Sequence, residues 1–362
     1  MVDNFIREHI KKLTPYEPIF PIDVLSEQLD IPIEALVKLD ANENPYGMPP
    51  SSKERLANLS FGHIYPDPES RQLREKLADL IHVPFSNILV SSGADELIDL
   101  IMRLTMNPGD KIINCPPTFG FYAAESQIND LQIINIRRKP DFSIDYEGIC
   151  QAVKEGAKVL FLANPNNPDG STIPRHTLEK ILQLPLLTII DEAYIEFAPS
   201  GSSALTRVTD QDNLIVLRTF SKWGGLAGLR LGYGIFPTYL HEELMKIKPP
   251  YNVSVAASEA GLGALDDLDV LNIRLDWILS ERNRLFQALE EIEWLLPYPT
   301  KANFILCRVL EFDAARLKQD LSGQGILIRY FNSTGLRDHV RFSVGKPQDT
   351  DRLISALKEY KQ

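Results

Sequence analysis

From about residue 70 the chain alternates between short apolar runs and stretches with helical spacing. RQLREKLADLI (71–81) places Leu73, Leu77, Leu80 and Ile81 on one helical face, and ADELIDLIMRL (94–104) predicts a second helix. NILVSS (87–92), DKIINC (110–115), LQIINI (131–136), KVLFLANP (158–165), LTIIDEAY (187–194), NLIVLRTF (213–220) and LRLGYGIF (229–236) read as strands. Several are apolar almost without interruption, such as VLFL and LLTII. That is the pattern of strands covered on both faces. Residues 46–250 therefore predict a large α/β domain with a mainly parallel central sheet flanked by helices.

After KIKPPYNVS (246–254) one long helical stretch is expected over roughly 254–291. The strands KANFILCRV, ILIRYF and HVRFSVG follow, with the helices FDAARLKQDLSGQG and TDRLISALKEY, so 251–362 predicts a smaller α+β domain. Residues 1–45 hold two short helical candidates and several prolines. They read as an N-terminal arm that contributes part of the small domain.

Composition narrows the function more than the fold. The 362 residues carry a formal net charge of -11, which disfavours nucleic acid and anionic membrane as main partners. Cys115, Cys150 and Cys307 are widely spaced and fit neither a disulfide framework nor a zinc site, so no metal is expected. The N-terminal residues contain no apolar signal region, and no apolar stretch reaches the ~18 residues of a membrane span. A cytoplasmic location is the expectation.

In an open α/β sheet, ligands bind beyond the carboxyl ends of the strands. Four such ends carry chemistry. SSGADE offers a glycine turn and the free amides of a helix start at Ala94 and Asp95, suited to a phosphate. NPNNPDG offers the amide of Asn167, and DEAY offers Asp191 and Tyr194. A carboxylate leaving so apolar a strand needs a cation or several donors. LRTFSK ends in Thr219, Ser221 and Lys222, with Arg230 eight residues further on. Together they supply an amine for a Schiff base, a carboxylate for a protonated ring nitrogen, an amide and phenol for a ring oxygen, and a phosphate cup. Pyridoxal 5'-phosphate requires this set.

The ordered segments NPNNPDG, DEAY and SKWGGLAGLRLGY resemble the fold-type I pyridoxal-phosphate enzymes in their aminotransferase branch. LTPY, LDANENPYG, YPDP, SSGADELID, CPPTFGFY, PYNVS and HVRFSVG narrow the resemblance to the histidinol-phosphate aminotransferase family. It implies that Lys222 carries the cofactor and moves a proton, and that Asp191 pairs with its ring nitrogen. Asn167 and Tyr194 would hold the ring hydroxyl, and Phe119 would stack on the ring. Ala94, Asp95, Thr219, Ser221 and Arg230 would bind the phosphate, together with Tyr65 from the other subunit of a homodimer. Arg329 and Arg341 would grip an anionic substrate, covered by an arm bearing Tyr16 and Asn44. The expected substrates are histidinol phosphate and 2-oxoglutarate or glutamate. An aromatic amino-acid aminotransferase would use the same cofactor residues and differ only in the pocket, and a threonine-phosphate decarboxylase would also want an arginine pair. A cofactor-sensing transcription regulator would need a DNA-binding module, for which only some 45 residues precede the α/β block.

Overall fold

The structure, a computed structural model, describes residues 5–15 and 19–360. In chain order its strands are β1 (Val37–Leu39), β2 (Ile88–Ser91), β3 (Lys111–Asn114), β4 (Gln132–Asn135), β5 (Ala157–Ala163) and β6 (Leu187–Asp191). They continue with β7 (Leu214–Thr219), β8 (Gly232–Ile235), β9 (Leu295–Pro297), β10 (Phe304–Val309), β11 (Ile326–Tyr330) and β12 (His339–Ser343). Seven form one sheet in the order β2-β8-β7-β6-β5-β3-β4, and five form another in the order β1-β11-β12-β10-β9. In the large sheet only β8 runs against its neighbours; the other pairs are parallel.

The uninterrupted apolar runs are explained by burial on both faces. Along β5, Leu160 and Leu162 enter one core cluster while Val159 and Phe161 enter another. This is the period-two alternation of a strand with helices on either side. The expected strands all form. The helix Arg71–Ile81 buries Leu73 and Leu77 completely, but Leu80 is 39% exposed. Its apolar stripe is narrower than the spacing suggested.

One further expectation is corrected. The long helix breaks into Val255–Asp266 and Leu268–Glu290 at Asp267, whose carboxylate accepts from the Ser51 amide (2.6 Å) and hydroxyl (2.7 Å). Val255–Asp266 places Ala257, Ala260, Leu262 and Ala264 in a core cluster with residues of the large sheet. The arm supplies β1, which pairs in parallel with β11 (Val37↔Ile326) at the edge of the five-stranded sheet. A three-residue strand has too little pattern to read without its partner.

Candidate active site

β5, β6 and β7 are parallel and in step at Ala163, Asp191 and Leu217. The chain therefore leaves all three on one rim, and that rim holds a cavity of about 360 Å³. Asn167, Asp191, Tyr194, Thr219, Ser221 and Lys222 line it as expected, joined by Ala94, Asp95, Phe119 and Arg230.

Asp191 ends β6 in a buried position. Its carboxylate accepts from the Tyr122 hydroxyl (2.6 Å) and the Ala193 amide (3.0 Å). Burial outweighs both donors and pushes its pKa up to about 6 in the cofactor-free protein. Tyr122 is fully buried and lies three residues past Phe119, against which it packs edge-on at 5.5 Å. It stands in the same CPPTFGFY segment as Phe119. Sequence reasoning passed over it because nothing local says which way its hydroxyl points.

Lys222 follows β7 by three residues. The Thr219 hydroxyl accepts from the Ser221 amide (3.0 Å) and donates to its hydroxyl (2.9 Å), which tightens the turn. The Lys222 amine donates to the carbonyl of Ala41 (3.0 Å), delivered by the arm just after β1. Burial, followed by the charges of Arg341 and Arg230, lowers its pKa to about 8. A useful fraction is then neutral near pH 7, as a nucleophile requires.

On the opposite side, Asn167 accepts from Arg341 Nη1 (2.6 Å), which turns its NH2 group away from that arginine. Tyr194 is buried, and its oxygen accepts from Asn42 (3.1 Å), leaving the phenol able to donate. At the start of the helix Ala94–Thr105, Glu96 accepts from the Ser92 amide (2.7 Å) and closes the turn. Gly93 has φ +80°, and a Cβ there would lie 2.7 Å from Arg230 Nη2. The positive φ favours glycine there, and the missing side chain leaves room for that guanidinium over the helix start. Arg230 also pairs with Asp95 at 2.8 Å, and both side chains are substantially exposed. Such a pair is weak and readily exchanged for a phosphate. The cradle, the depressed amine and the buried carboxylate fit pyridoxal phosphate.

A second cavity, of about 410 Å³, shares Ala41, Phe119, Asn167, Tyr194 and Lys222 with the first. Arg329 and Arg341 line it and face each other across the β11–β12 pair. Arg341 is only 5% exposed and donates to the Asp40 carbonyl at 2.6 Å. Both guanidiniums approach the Phe331 ring, at 5.8 and 5.7 Å. Like charges opposed across a sheet repel. The aromatic face offsets part of this, and a dianion would offset more.

Two expected residues stand elsewhere. Asn44 is buried, donating to the Trp223 carbonyl (2.8 Å) and accepting from the Tyr46 amide (3.0 Å), so it braces the loop instead of lining either cavity. Asn42, which sequence reasoning missed, lines the second cavity in that segment. Tyr65 is 78% exposed and stacks on Tyr251 at 4.6 Å beside a separate groove, so the chain does not bring it to its own site. Tyr16 lies outside the described residues.

This fold and site define a fold-type I pyridoxal-phosphate-dependent aminotransferase. The family model for aminotransferase class I and II matches residues 34–357. Histidinol-phosphate aminotransferase 1, chloroplastic, of Arabidopsis thaliana is 50% identical over 362 residues, spanning 99% of this chain and 87% of the relative. The histidinol-phosphate aminotransferase of Roseiflexus castenholzii is 45% identical, spanning 99% and 98%. The crystal structure of the Sinorhizobium meliloti histidinol-phosphate aminotransferase in complex with pyridoxal-5'-phosphate superposes with a TM-score of 0.89, at 28% identity over 98% of this chain and 96% of that one. The chain belongs to the histidinol-phosphate aminotransferase family of class I and II aminotransferases.

Proposed function

We propose that this protein interconverts L-histidinol phosphate and 2-oxoglutarate with imidazole-acetol phosphate and L-glutamate, a step of histidine biosynthesis. The observation that carries the substrate choice is the directly opposed pair Arg329 and Arg341 in the cavity that meets the first at Lys222. Two guanidiniums match a phosphate dianion better than a lone carboxylate.

When bound, pyridoxal phosphate supplies an aldehyde that takes up an amino group and a ring that accepts electron density from the substrate Cα. The protein's residues prepare for that. Lys222 would hold the aldehyde end and, when free, would take and return the proton at the substrate Cα. Asp191, steadied by Tyr122, would hold the ring N–H. Asn167 and Tyr194 would hold the ring hydroxyl oxygen, and Phe119 would pack on the ring. The amides of Ala94 and Asp95, with Thr219, Ser221 and Arg230, would anchor the phosphate.

The test is glutamate formation by the purified protein from histidinol phosphate and 2-oxoglutarate. Arg329→Leu is expected to lower kcat/KM for histidinol phosphate roughly 10²-fold, mainly through KM, at about 1.5–3 kcal/mol for a lost charged hydrogen bond. Equal loss with an aromatic amino acid as donor would remove the phosphate-specific role. Carbon dioxide release in place of glutamate would make the enzyme a decarboxylase.

We place the domain division after the helix Val255–Asp266, because that helix packs with the large sheet. We also propose a homodimer in which Tyr65 completes the partner's phosphate cup. In support, Phe61, Ile64, Tyr65 and Tyr251 form an exposed apolar rim beside a groove. Tyr65→Ala is expected to weaken cofactor binding about tenfold while light scattering still reports a dimer. Unchanged cofactor affinity would refute the sharing. The free thiols Cys115, Cys150 and Cys307 suit a reducing compartment, and we propose the cytoplasm. Among the described residues no helix is long and apolar enough to cross a membrane.

A further inference from the structure

A third cavity, of about 430 Å³, shares Pro116, Pro117, Ser333 and Thr334 with the substrate cavity but contains neither Arg329 nor Arg341. Its charge is one-sided. Arg137, Arg138 and Lys139 line it, and no aspartate or glutamate does. This stands out on a chain whose net charge is -11.

Arg138 is the informative residue. Its neighbours Arg137 and Lys139 are exposed, whereas Arg138 is 9% exposed. One arm, Nη1, donates to the Phe142 carbonyl at 3.0 Å. Nε and Nη2 are buried without any hydrogen-bond partner. A buried guanidinium with two unpaired N–H directions is costly, and a turn of the side chain into the cavity it lines would let an anion satisfy them. Nearby acids are committed elsewhere. Asp338 accepts from Arg308 (2.6 Å) and pairs with His339 (2.7 Å), Asp141 binds Ser143, and Asp145 caps Gly148. The remaining wall is aromatic: Phe142 packs edge-on to Tyr298 at 5.0 Å, and Tyr298 stacks on His339.

We propose that this cavity is a second oxyanion site, for inorganic phosphate or a small phosphate monoester, with Arg138 as its principal donor. It is distinct from the Arg329–Arg341 site and does not depend on the aminotransferase reading. Ser333 and Thr334 line the same space and carry hydroxyl donors, and no carboxylate lines it.

Calorimetric titration of the cofactor-loaded protein with inorganic phosphate, and separately with glycerol 3-phosphate, tests this. Whatever the Arg329–Arg341 site takes up, one equivalent per subunit beyond the cofactor is expected to survive Arg329→Leu and to be lost when Arg138→Gln is added. A single equivalent that Arg329→Leu removes and Arg138→Gln leaves intact would overturn the proposal. If Arg138→Gln does not fold, Lys139→Glu at the exposed rim serves instead. It should weaken the site about tenfold, and an unchanged affinity would count against the site. Tighter binding of glycerol 3-phosphate than of phosphate identifies an ester as the ligand, and the reverse order identifies free phosphate; either supports the site.

Discussion

Lys222→Met is expected to lower amino transfer by at least ~10³-fold, because it removes both the attachment point and the proton carrier. The cofactor should then wash out on gel filtration. A variant that retained the wild-type rate would end the role given to Lys222. The same substitution has an opposite effect on the cofactor-free fold. The Lys222 pKa is depressed from 10.5 to about 8, chiefly by burial. For a lowered pKa, the penalty is full below about 8, where the unfolded chain holds a proton that the folded site disfavours. It fades as pH rises toward 10.5. Methionine keeps the stem without the charge. At pH 7 the cofactor-free variant should therefore be more stable, by up to about 3 kcal/mol. A chemical denaturation series from pH 7 to 10.5 checks the sign, since the advantage must shrink as pH rises.

Asp191→Asn should reduce kcat by roughly 10²–10³-fold, the size seen when one preorganised electrostatic partner is removed. The shape is preserved: the amide oxygen can keep the Ala193 N–H while the NH2 donates to the Tyr122 oxygen, so the loss isolates the charge. Stability again moves the other way. The folded pKa of Asp191 is raised from 3.8 to about 6. A raised value means stability that is present below 3.8 and lost as pH rises through about 6. Above that window the cofactor-free protein carries a buried carboxylate at about 3 kcal/mol, which asparagine avoids. Denaturation midpoints at pH 4 and pH 8 should show the variant's gain only at the higher pH. A gain that did not depend on pH would assign it to packing. Between them, Lys222 and Asp191 make the empty site a strained one near neutrality, and a ligand that engages both should stabilise the protein strongly.

Much of this was readable from the chain. The runs VLFL, LTII and LIVL announced strands covered on both faces, and the polar residues at their ends were the ones that met in the cavity. Local pattern works there because burial and period two act within a few residues. It failed where the decisive partner was distant in sequence. β1 exists only because β11 offers it an edge nearly 290 residues away. Without β1, nothing places the Ala41 carbonyl against Lys222 or Asn42 against Tyr194. That Asn42 lines the second cavity while Asn44 braces the loop was hidden for the same reason: two asparagines two residues apart look alike until the turn aims them. Leu80 illustrates the converse, since spacing defines a helical face but not how much of it the neighbours cover.

The sequence alone determined the strands, their apolar faces and the chemical identity of the residues at their ends, because those depend on short-range periodicity and side-chain type. Tertiary structure decided which ends share a rim, which carbonyl holds the lysine, and that Arg329 faces Arg341. Those are matters of strand order and register, set by long-range pairing and the packing of helices over both faces, and no local stretch contains them.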